Sequence, residues 1–417
     1  MGKIVSLIYL LGVWLYSAGV RIAACFGNEK AKQLVKGRTE TWKKLQTYDN
    51  SQKSVWIHAA SLGEFEQGRP IIEAIREKYP QKKIVLTFFS PSGYEVRKNY
   101  ALADLICYLP ADGPMNARKF IEAINPEKVI FVKYEFWHFF LASLKKYNIP
   151  TYGVSVIFRK QQAFFKWYGA WFRDMLKCFK HLYIQDQTSA SLLDTIGISN
   201  YTVAGDTRFD RVRKIAQSSA NVDIAHRFVE GAQMVMVAGS SWELDEDVYL
   251  PYFLNSNNQK NGKLKLIIAT HEVDATRVEK LKNRIGESAF FYTNPPTDPE
   301  NYMVMIVDTI GLLSAIYKYG QVAYIGGGFG KGIHNTLEAA TYGMPVIFGP
   351  NYKKFKEAVD LIACGAGYCV GSENDFNQIM TQLCSDEARL KQSGVEADAY
   401  VKSMCGATDK VMHDLFV

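Results

Sequence analysis

The sequence predicts an α/β protein of two doubly wound domains, each a parallel sheet with helices on both faces, preceded by an apolar helix. Three observations lead there. The chain has 417 residues, more than one core usually holds and suited to two domains of about 150–200 residues. From residue 54 onward, short β-rich apolar runs alternate with helix-length amphipathic stretches, the signature of βαβ units. The alternation lapses over residues 210–224 and then restarts.

The elements follow in order. Residues 4–20, IVSLIYLLGVWLYSAGV, carry no charge over 17 positions; a spanning helix needs about 20. A signal peptide wants a basic start and a small-residue cleavage site. Only Lys3 precedes the run, and SAGVRIAA contains Arg21. Lys30, Lys32, Lys36, Arg38, Lys43 and Lys44 follow it, so the bulk of the chain is expected on the cytoplasmic side. Residues 1–26 therefore read as a membrane anchor, spanning or interfacial, with a buried core helix as the alternative.

The first domain, 27–209, has strand candidates at 54–60, 83–89, 128–134, 149–156, 181–185 and 201–205, with helical stretches at 68–79, 115–125, 139–148 and 189–197. Residues 158–183 mix nine aromatic residues with six lysines and arginines. Such a helix suits a membrane interface or an amphipathic anion; an ordinary packed helix with snorkelling lysines fits equally. The second domain, 210–417, has strands at 234–240, 265–271, 302–308, 321–327 and 344–350. Two such domains imply a cleft, with ligands beyond the carboxyl ends of the strands.

Composition narrows the partners. Lysine and arginine number 49 against 42 acids, a net charge of +7. This mild excess permits an anionic ligand or surface, and no nucleic-acid motif accompanies it. The seven cysteines form no C-x-x-C pair, as expected of a reduced chain without a disulfide framework.

Four stretches carry chemistry. SLGEFEQG (61–68) follows a strand and opens a helix. Ser61 and Glu64 fit a capping box; Gly63 and Gly68, which capping does not need, suggest space for a ligand beside a carboxylate acting as general base. KYEFWHFF (133–140) sets Glu135 at the end of an apolar strand, as a functional carboxylate or a solvent-facing one. GDTRFDR (205–211) sets Arg208 where it can meet a carboxylate or phosphate, or pair with Asp206 or Asp210. GGGFGKGIHNTLEAA (326–340) joins a strand to a helix. Its glycines permit close approach of a ligand, and Asn335 and Glu338 share a helix face suited to ribose hydroxyls or to an N-cap pair. Lys331 is followed by Gly332, so this is not a Walker loop. His271 ends a strand in the same domain, as a binding or a structural residue.

Taken in order, HAASLGEFEQGRPIIEAIREKYP (58–80), LTFFSPSGYE (86–95), YLPADGP (108–114), YEFW (134–137), GDTRFD (205–210), DTIGLL (308–313) and GGGFGKGIHNTLEAATYGMPVIFGP (326–350) resemble the 3-deoxy-D-manno-octulosonic acid (Kdo) transferases of Gram-negative bacteria. The resemblance covers almost the whole chain. It implies a GT-B glycosyltransferase fold. It also implies transfer of Kdo from CMP-Kdo to a lipid A precursor, lipid IVA, at the cytoplasmic face of the inner membrane, in lipopolysaccharide biosynthesis. Inversion at the anomeric carbon and no metal or other cofactor are implied as well. Glu64 matches the family's general base. Glu135 and Arg208 match positions that help stabilise the transition state. CMP contacts fall on Ala269, Thr270, Gly311, Leu312, Leu313, Asn335, Thr336, Leu337 and Glu338. The sequence departs from the family pattern at Arg208, usually lysine, at ATHEVD (269–274) where Pro-Arg-His-Pro-Glu is usual, and at Ile333 and Thr336. The rival readings are a GT-B transferase for another activated sugar and a membrane-tethered binding protein without catalysis.

Overall fold

The computed structural model describes residues 2–255 and 264–416. Its contacts divide the chain into two compact units, Met1–Asp210 with Cys405–Val417, and Arg211–Met404.

The first unit holds a seven-stranded parallel sheet of β1 (Ser54–Ala59), β2 (Lys83–Phe88), β3 (Leu105–Tyr108), β4 (Pro126–Val132), β5 (Thr151–Val156), β6 (His181–Ile184) and β7 (Tyr201–Val203). The strand order is β3-β2-β1-β4-β5-β6-β7. Its helices are α1 (Gly2–Cys25), α2 (Glu29–Thr47), α3 (Leu62–Lys78), α4 (Pro91–Arg97), α5 (Pro114–Ile124), α6 (His138–Lys146), α7 (Ala170–Leu176), α8 (Gln187–Asp194) and α9 (Thr207–Ser218), which leads into the second unit. Successive residues of a strand point to opposite faces. Trp56, Val85, Val129 and Phe131 fill one core, and Val55, Ile57, Ile84 and Ile130 the other. Because both faces are covered, the runs read as continuously apolar rather than alternating.

The second unit repeats the plan with β8 (Met234–Ser241), β9 (Leu264–Thr270), β10 (Ala289–Phe291), β11 (Val304–Val307), β12 (Val322–Ile325), β13 (Val346–Phe348) and β14 (Gly367–Cys369), in the order β10-β11-β9-β8-β12-β13-β14. Every strand pair in both sheets is parallel.

Four features differ from the sequence reading. Strands β3, β10 and β14 were not foreseen; each has only three or four residues, too few for a periodicity. Residues 158–183 form no single helix but a 3-10 turn at Ala163–Phe165, then α7, then the start of β6; Gly169, before α7, lies against the carbonyls of Ala163, Phe164 and Lys166 where a Cβ would not fit. Most of 210–224 is helical, as α9. The chain also leaves the second unit before its end. Residues Ala407–Phe416 return to α3, where Val411 and Leu415 are buried, Phe416 stacks on Tyr79 at 4.5 Å, and Asp210 accepts from the Thr408 N–H at 2.7 Å.

Helix α1 is long and apolar enough to cross a membrane, over Lys3–Cys25. One stripe of it nevertheless rests on the first unit. Trp171 Nε1 donates to Ser6 Oγ at 3.2 Å, Ser6 Oγ lies 3.0 Å from His138 Nε2, and Tyr9 OH donates to Asp112 Oδ2 at 2.7 Å. The Tyr16 ring stacks on Phe89 at 6.0 Å. The opposite stripe, Ile4, Leu7, Ile8, Leu11, Trp14 and Leu15, is exposed. Spacings of three and four recur within the exposed stripe and link Ser6 to Tyr9 in the docked one, as on any amphipathic helix.

Asp112 also accepts the Phe139 and Phe140 N–H groups at 3.1 and 3.0 Å, capping α6. Burial pushes its carboxyl up to about 6. A raised acid pKa means the native state binds the proton more tightly than the unfolded chain, so this contribution is complete below about pH 4 and is lost as pH rises through about 6. Denaturant titration across that window is expected to show up to about 3 kcal/mol of stability lost through this group. Asp112→Asn should flatten that slope; an unchanged slope would refute the assignment.

Candidate active site

In the first sheet the strand order reverses direction between β1 and β4, and ligands of doubly wound sheets bind at such a switch point. Glu64 follows β1 and Glu135 follows β4. Glu64 lies in the first turn of α3, half-buried, where the helix N-terminus favours negative charge. Ser61 does not cap the helix with its side chain. Its Oγ donates instead to Glu64 Oε2 at 2.6 Å, so the expected capping box does not form. The two glycines also differ. A Cβ at Gly63 would meet nothing nearer than 3.9 Å, whereas one at Gly68 would lie 3.0 Å from Val132 Cγ2. Gly63 leaves space beside Glu64; Gly68 lets α3 sit close on the sheet.

Loops on either side hold this turn. Ala60 O accepts the Phe89 and Ser90 N–H groups at 3.2 and 2.7 Å, tying the loop after β2 to the start of α3. Buried Gln67 donates to Asp206 Oδ2 at 2.9 Å, and Thr207 Oγ1 donates to Gln67 O. Arg208 donates to Asp206 through Nε at 3.0 Å and pairs with it through Nη2 at 2.9 Å. Of the readings left open for Arg208, pairing with Asp206 is therefore present, and it holds a guanidinium one link from α3.

Glu135 is buried, not solvent-facing. Its Oε2 accepts from Trp137 Nε1 at 2.7 Å and lies 2.9 Å from His58 Nε2; His58 Nδ1 lies 2.8 Å from Thr87 Oγ1. A buried carboxylate is tolerated because polar hydrogens meet it. Sequence reasoning did not pick out His58, Trp137 or Gln67. His58 offered one signal, an imidazole in a strand otherwise buried and apolar. Burial raises the Tyr134 hydroxyl pKa; Arg159 opposes this, and Glu64 and Asp186 add to it, placing Tyr134 among these charges.

In the second sheet the switch point lies between β8 and β12. The glycine loop follows β12, and its glycines serve packing more than ligand approach. A Cβ at Gly326 would lie 2.2 Å from Ser240 O, and one at Gly328 2.5 Å from Gly349 N. Gly328→Ala is expected to cost about 3 kcal/mol, since backbone on both sides cannot give way. Gly330→Ala, whose Cβ would meet nothing nearer than 3.6 Å, should cost less than about 1 kcal/mol. Thermal unfolding compares the two; equal shifts would refute the packing role. Asp245, not singled out from sequence, braces the loop by accepting the Gly327 and Trp242 N–H groups at 2.8 and 3.0 Å and the Tyr324 hydroxyl at 3.1 Å.

The predicted nucleotide contacts divide in two. Glu338 Oε1 accepts from Asn335 Nδ2 at 2.9 Å and Oε2 from Ser314 Oγ at 2.7 Å, joining the loop after β11 to the loop after β12. Gly311 there takes φ +95°, and Leu312 and Leu313 follow it half-buried. Asn335 Oδ1 accepts the Leu337 N–H at 3.0 Å, so the cap reading of Asn335 is also present. Ala269, Thr270, Thr336 and Leu337 have buried side chains, which leaves mainly their backbone to offer. The Thr270 hydroxyl donates to Glu272 O at 2.7 Å.

Beside this loop is a cavity of about 690 Å³ lined by Trp242, His271, Arg277, Phe329, Lys331 and His334 among others. His271 stacks on His334 at 4.2 Å and on Trp242 at 4.7 Å. Trp242 Nε1 donates to His334 Nε2 at 3.0 Å. Burial and the neighbouring His271 bring His334 down to about 4, so its ring is neutral near pH 7 and able to accept that bond. Among the described residues, no three His, Cys, Asp or Glu side chains gather as metal ligands would.

Residues 35–211 match the family model described as 3-deoxy-D-manno-octulosonic-acid transferase (kdotransferase). The 3-deoxy-D-manno-octulosonic acid transferase of Aquifex aeolicus is 26% identical over 352 residues, 83% of this chain and 90% of that protein. The one of Bordetella pertussis is 26% identical over 380 residues, 87% of this chain and 86% of that protein. Two solved structures share the fold. UDP-GlcNAc 2-epimerase of Neisseria meningitidis has a TM-score of 0.59 at 14% identity, over 87% of this chain and 99% of that one. MurG of Acinetobacter baumannii has a TM-score of 0.52 at 14% identity, over 86% and 98%. Two parallel seven-stranded sheets with this likeness make a GT-B fold. Residues 35–211 carry a Kdo transferase domain, the chain is similar to Kdo transferases over more than four fifths of its length, and it is a glycosyltransferase.

Proposed function

We propose that the protein transfers Kdo from CMP-Kdo to a lipid A precursor such as lipid IVA, with inversion, at the cytoplasmic side of the inner membrane. The observation that carries this is Glu64. It is half-buried at the switch point, hydrogen-bonded only to Ser61 among the described residues, with no cation paired to it and open space beside Gly63. A carboxylate so placed takes the proton of an attacking acceptor hydroxyl. The hydroxyl oxygen bonds to the anomeric carbon of Kdo as the bond from that carbon to the CMP phosphate oxygen breaks, and the phosphate leaves with the electron pair. Glu135, fixed by His58 and Trp137, sets negative charge against the cationic character of the sugar in flight. Arg208 supplies a positive counterpart oriented by Asp206. Gly311 to Leu313 and Asn335 to Glu338 form the CMP side, with Glu338 on the ribose and the backbone of Ala269 and Thr270 alongside.

Helix α1 holds to its unit from Ser6 to Val20, about 21 Å at 1.5 Å per residue. That favours an anchor lying in the membrane interface, apolar stripe toward lipid, over a spanning one. Exposed Trp167 and Tyr168, near α7 and its Trp171–Ser6 contact, suit the same level. The test is incubation with CMP-Kdo and lipid IVA, with the product read by mass. Consumption of a UDP-sugar with CMP-Kdo untouched would overturn the substrate assignment.

A further inference from the structure

A second cavity, of about 430 Å³, lies between α1, α2 and the segment linking β3 to α5. Its wall carries Ser17 and Arg21 from α1, Arg38, Thr39 and Lys43 from α2, and Asn116 from α5. Among the described residues, no acidic side chain lines it. On α2, Arg38, Thr39, Trp42, Lys43 and Gln46 recur at spacings of three and four, so one face of the helix looks into the cavity. Arg38 is the unusual member. It is half-buried, its Nε donates to Leu109 O at 3.2 Å, and its guanidinium lies over the Phe89 ring at 5.2 Å. No carboxylate pairs with it among the described residues, and its two Nη groups have no partner there. Burial lowers its pKa, the mark of a cation short of counter-charge. Arg21 and Lys43, both exposed, add two more charges without ion-pair partners among the described residues.

From this geometry we infer that the cavity binds a phosphate group carried by the glycolipid acceptor. Three cations, one of them a guanidinium fork, match a phosphate dianion better than a single carboxylate. The α1 wall has the exposed apolar stripe on its far side, so a phosphate here sits at headgroup depth while acyl chains remain in lipid. The ring under Arg38 belongs to Phe89, whose N–H bonds Ala60 O next to Ser61 and Glu64. A phosphate on Arg38 therefore registers the acceptor sugar against the turn that carries Glu64. The inference rests on the acceptor proposed above.

The test uses the full chain in detergent with Arg38→Lys, which keeps charge but loses the fork, and the double variant Arg21→Gln/Lys43→Gln, whose positions are exposed. Binding of dodecyl phosphate is measured without donor. Transfer is measured with lipid IVA and with phosphatase-treated lipid IVA. Each variant is expected to weaken dodecyl phosphate binding about tenfold or more, and to raise KM for lipid IVA similarly with kcat held and no change for the dephosphorylated acceptor. Equal dodecyl phosphate binding in all three proteins would overturn the site and leave the acceptor reading standing. Loss of dodecyl phosphate binding in the variants, with no transfer to lipid IVA by any protein, would support the site and overturn the acceptor reading. Weaker flotation with anionic phospholipid vesicles at unchanged KM would show that the cavity reads bulk lipid, which overturns the acceptor assignment.

Discussion

Glu64→Ala is expected to lower kcat for Kdo transfer by about 10²–10⁴-fold, the range of a lost general base, while the protein stays folded. Stability should barely move, because a first-turn carboxylate contributes only about 0.3–1 kcal/mol to its helix. Ser61 donates to Glu64 without capping the backbone, so Ser61→Ala should cost far less, about tenfold. Glu64→Gln separates charge from shape: it can still accept the Ser61 hydrogen but cannot take a proton, and should be as inactive as alanine. Single-turnover rates with saturating donor and acceptor read the chemical step. Near wild-type turnover by Glu64→Gln would exclude Glu64 as the base and turn attention to Glu135.

Removing residues 1–26 should do more than release the protein from membranes. The deletion strips Tyr9 from buried Asp112, a charge-assisted bond of about 1.5–3 kcal/mol. It also uncovers the faces of Phe139, Trp171 and Phe89 that Tyr9 and Tyr16 cover, each pair contributing about 0.5–1.5 kcal/mol. At about 2–4 °C per kcal/mol for a domain of this size, the first unit should melt on the order of 10 °C lower. Transfer to detergent-dispersed acceptor should fall with it, because Phe89 stacks on Trp137 at 5.0 Å and Trp137 donates to Glu135. A second variant isolates the tether. Leu7→Ser, Leu11→Ser and Leu15→Ser alter only exposed positions and should free the chain from vesicles while melting and detergent activity remain. If the deletion matched this triple variant in both readouts, α1 would be a tether alone.

Much of the fold was legible because its strands are buried on both faces. Such strands are apolar throughout, and eleven of the fourteen were recognised in the runs beginning with SVWIHAA and ending with MPVIFGP. The three that escaped are all edge strands, of three or four residues, where pairing rather than side-chain pattern defines the element. The aromatic and basic segment 158–183 misled because composition suggests one amphipathic helix, while a 3-10 turn, α7 and the start of β6 divide it, with Gly169 against three carbonyls before α7.

The chemistry divides along the same line. The residues Glu64, Glu135, Arg208, Asn335 and Glu338 were named from motif order, since loops after parallel strands are where binding groups collect. The sequence by itself determined the two sheets, the likeness to Kdo transferases and the candidate groups, because these depend on local periodicity and on the order of short motifs. Tertiary structure alone decided what each group touches. It turned Ser61 from a cap into a donor to Glu64, buried Glu135 between His58 and Trp137, and placed Asp245 under Gly327. It also docked α1 on its own unit and, among the described residues, left Arg38 without a carboxylate partner in a cationic cavity. Each of these joins residues far apart in the chain or chooses among rotamers within one turn. Neither leaves a trace in hydropathy, because hydrogen-bond partners are selected by distance and desolvation in the folded chain.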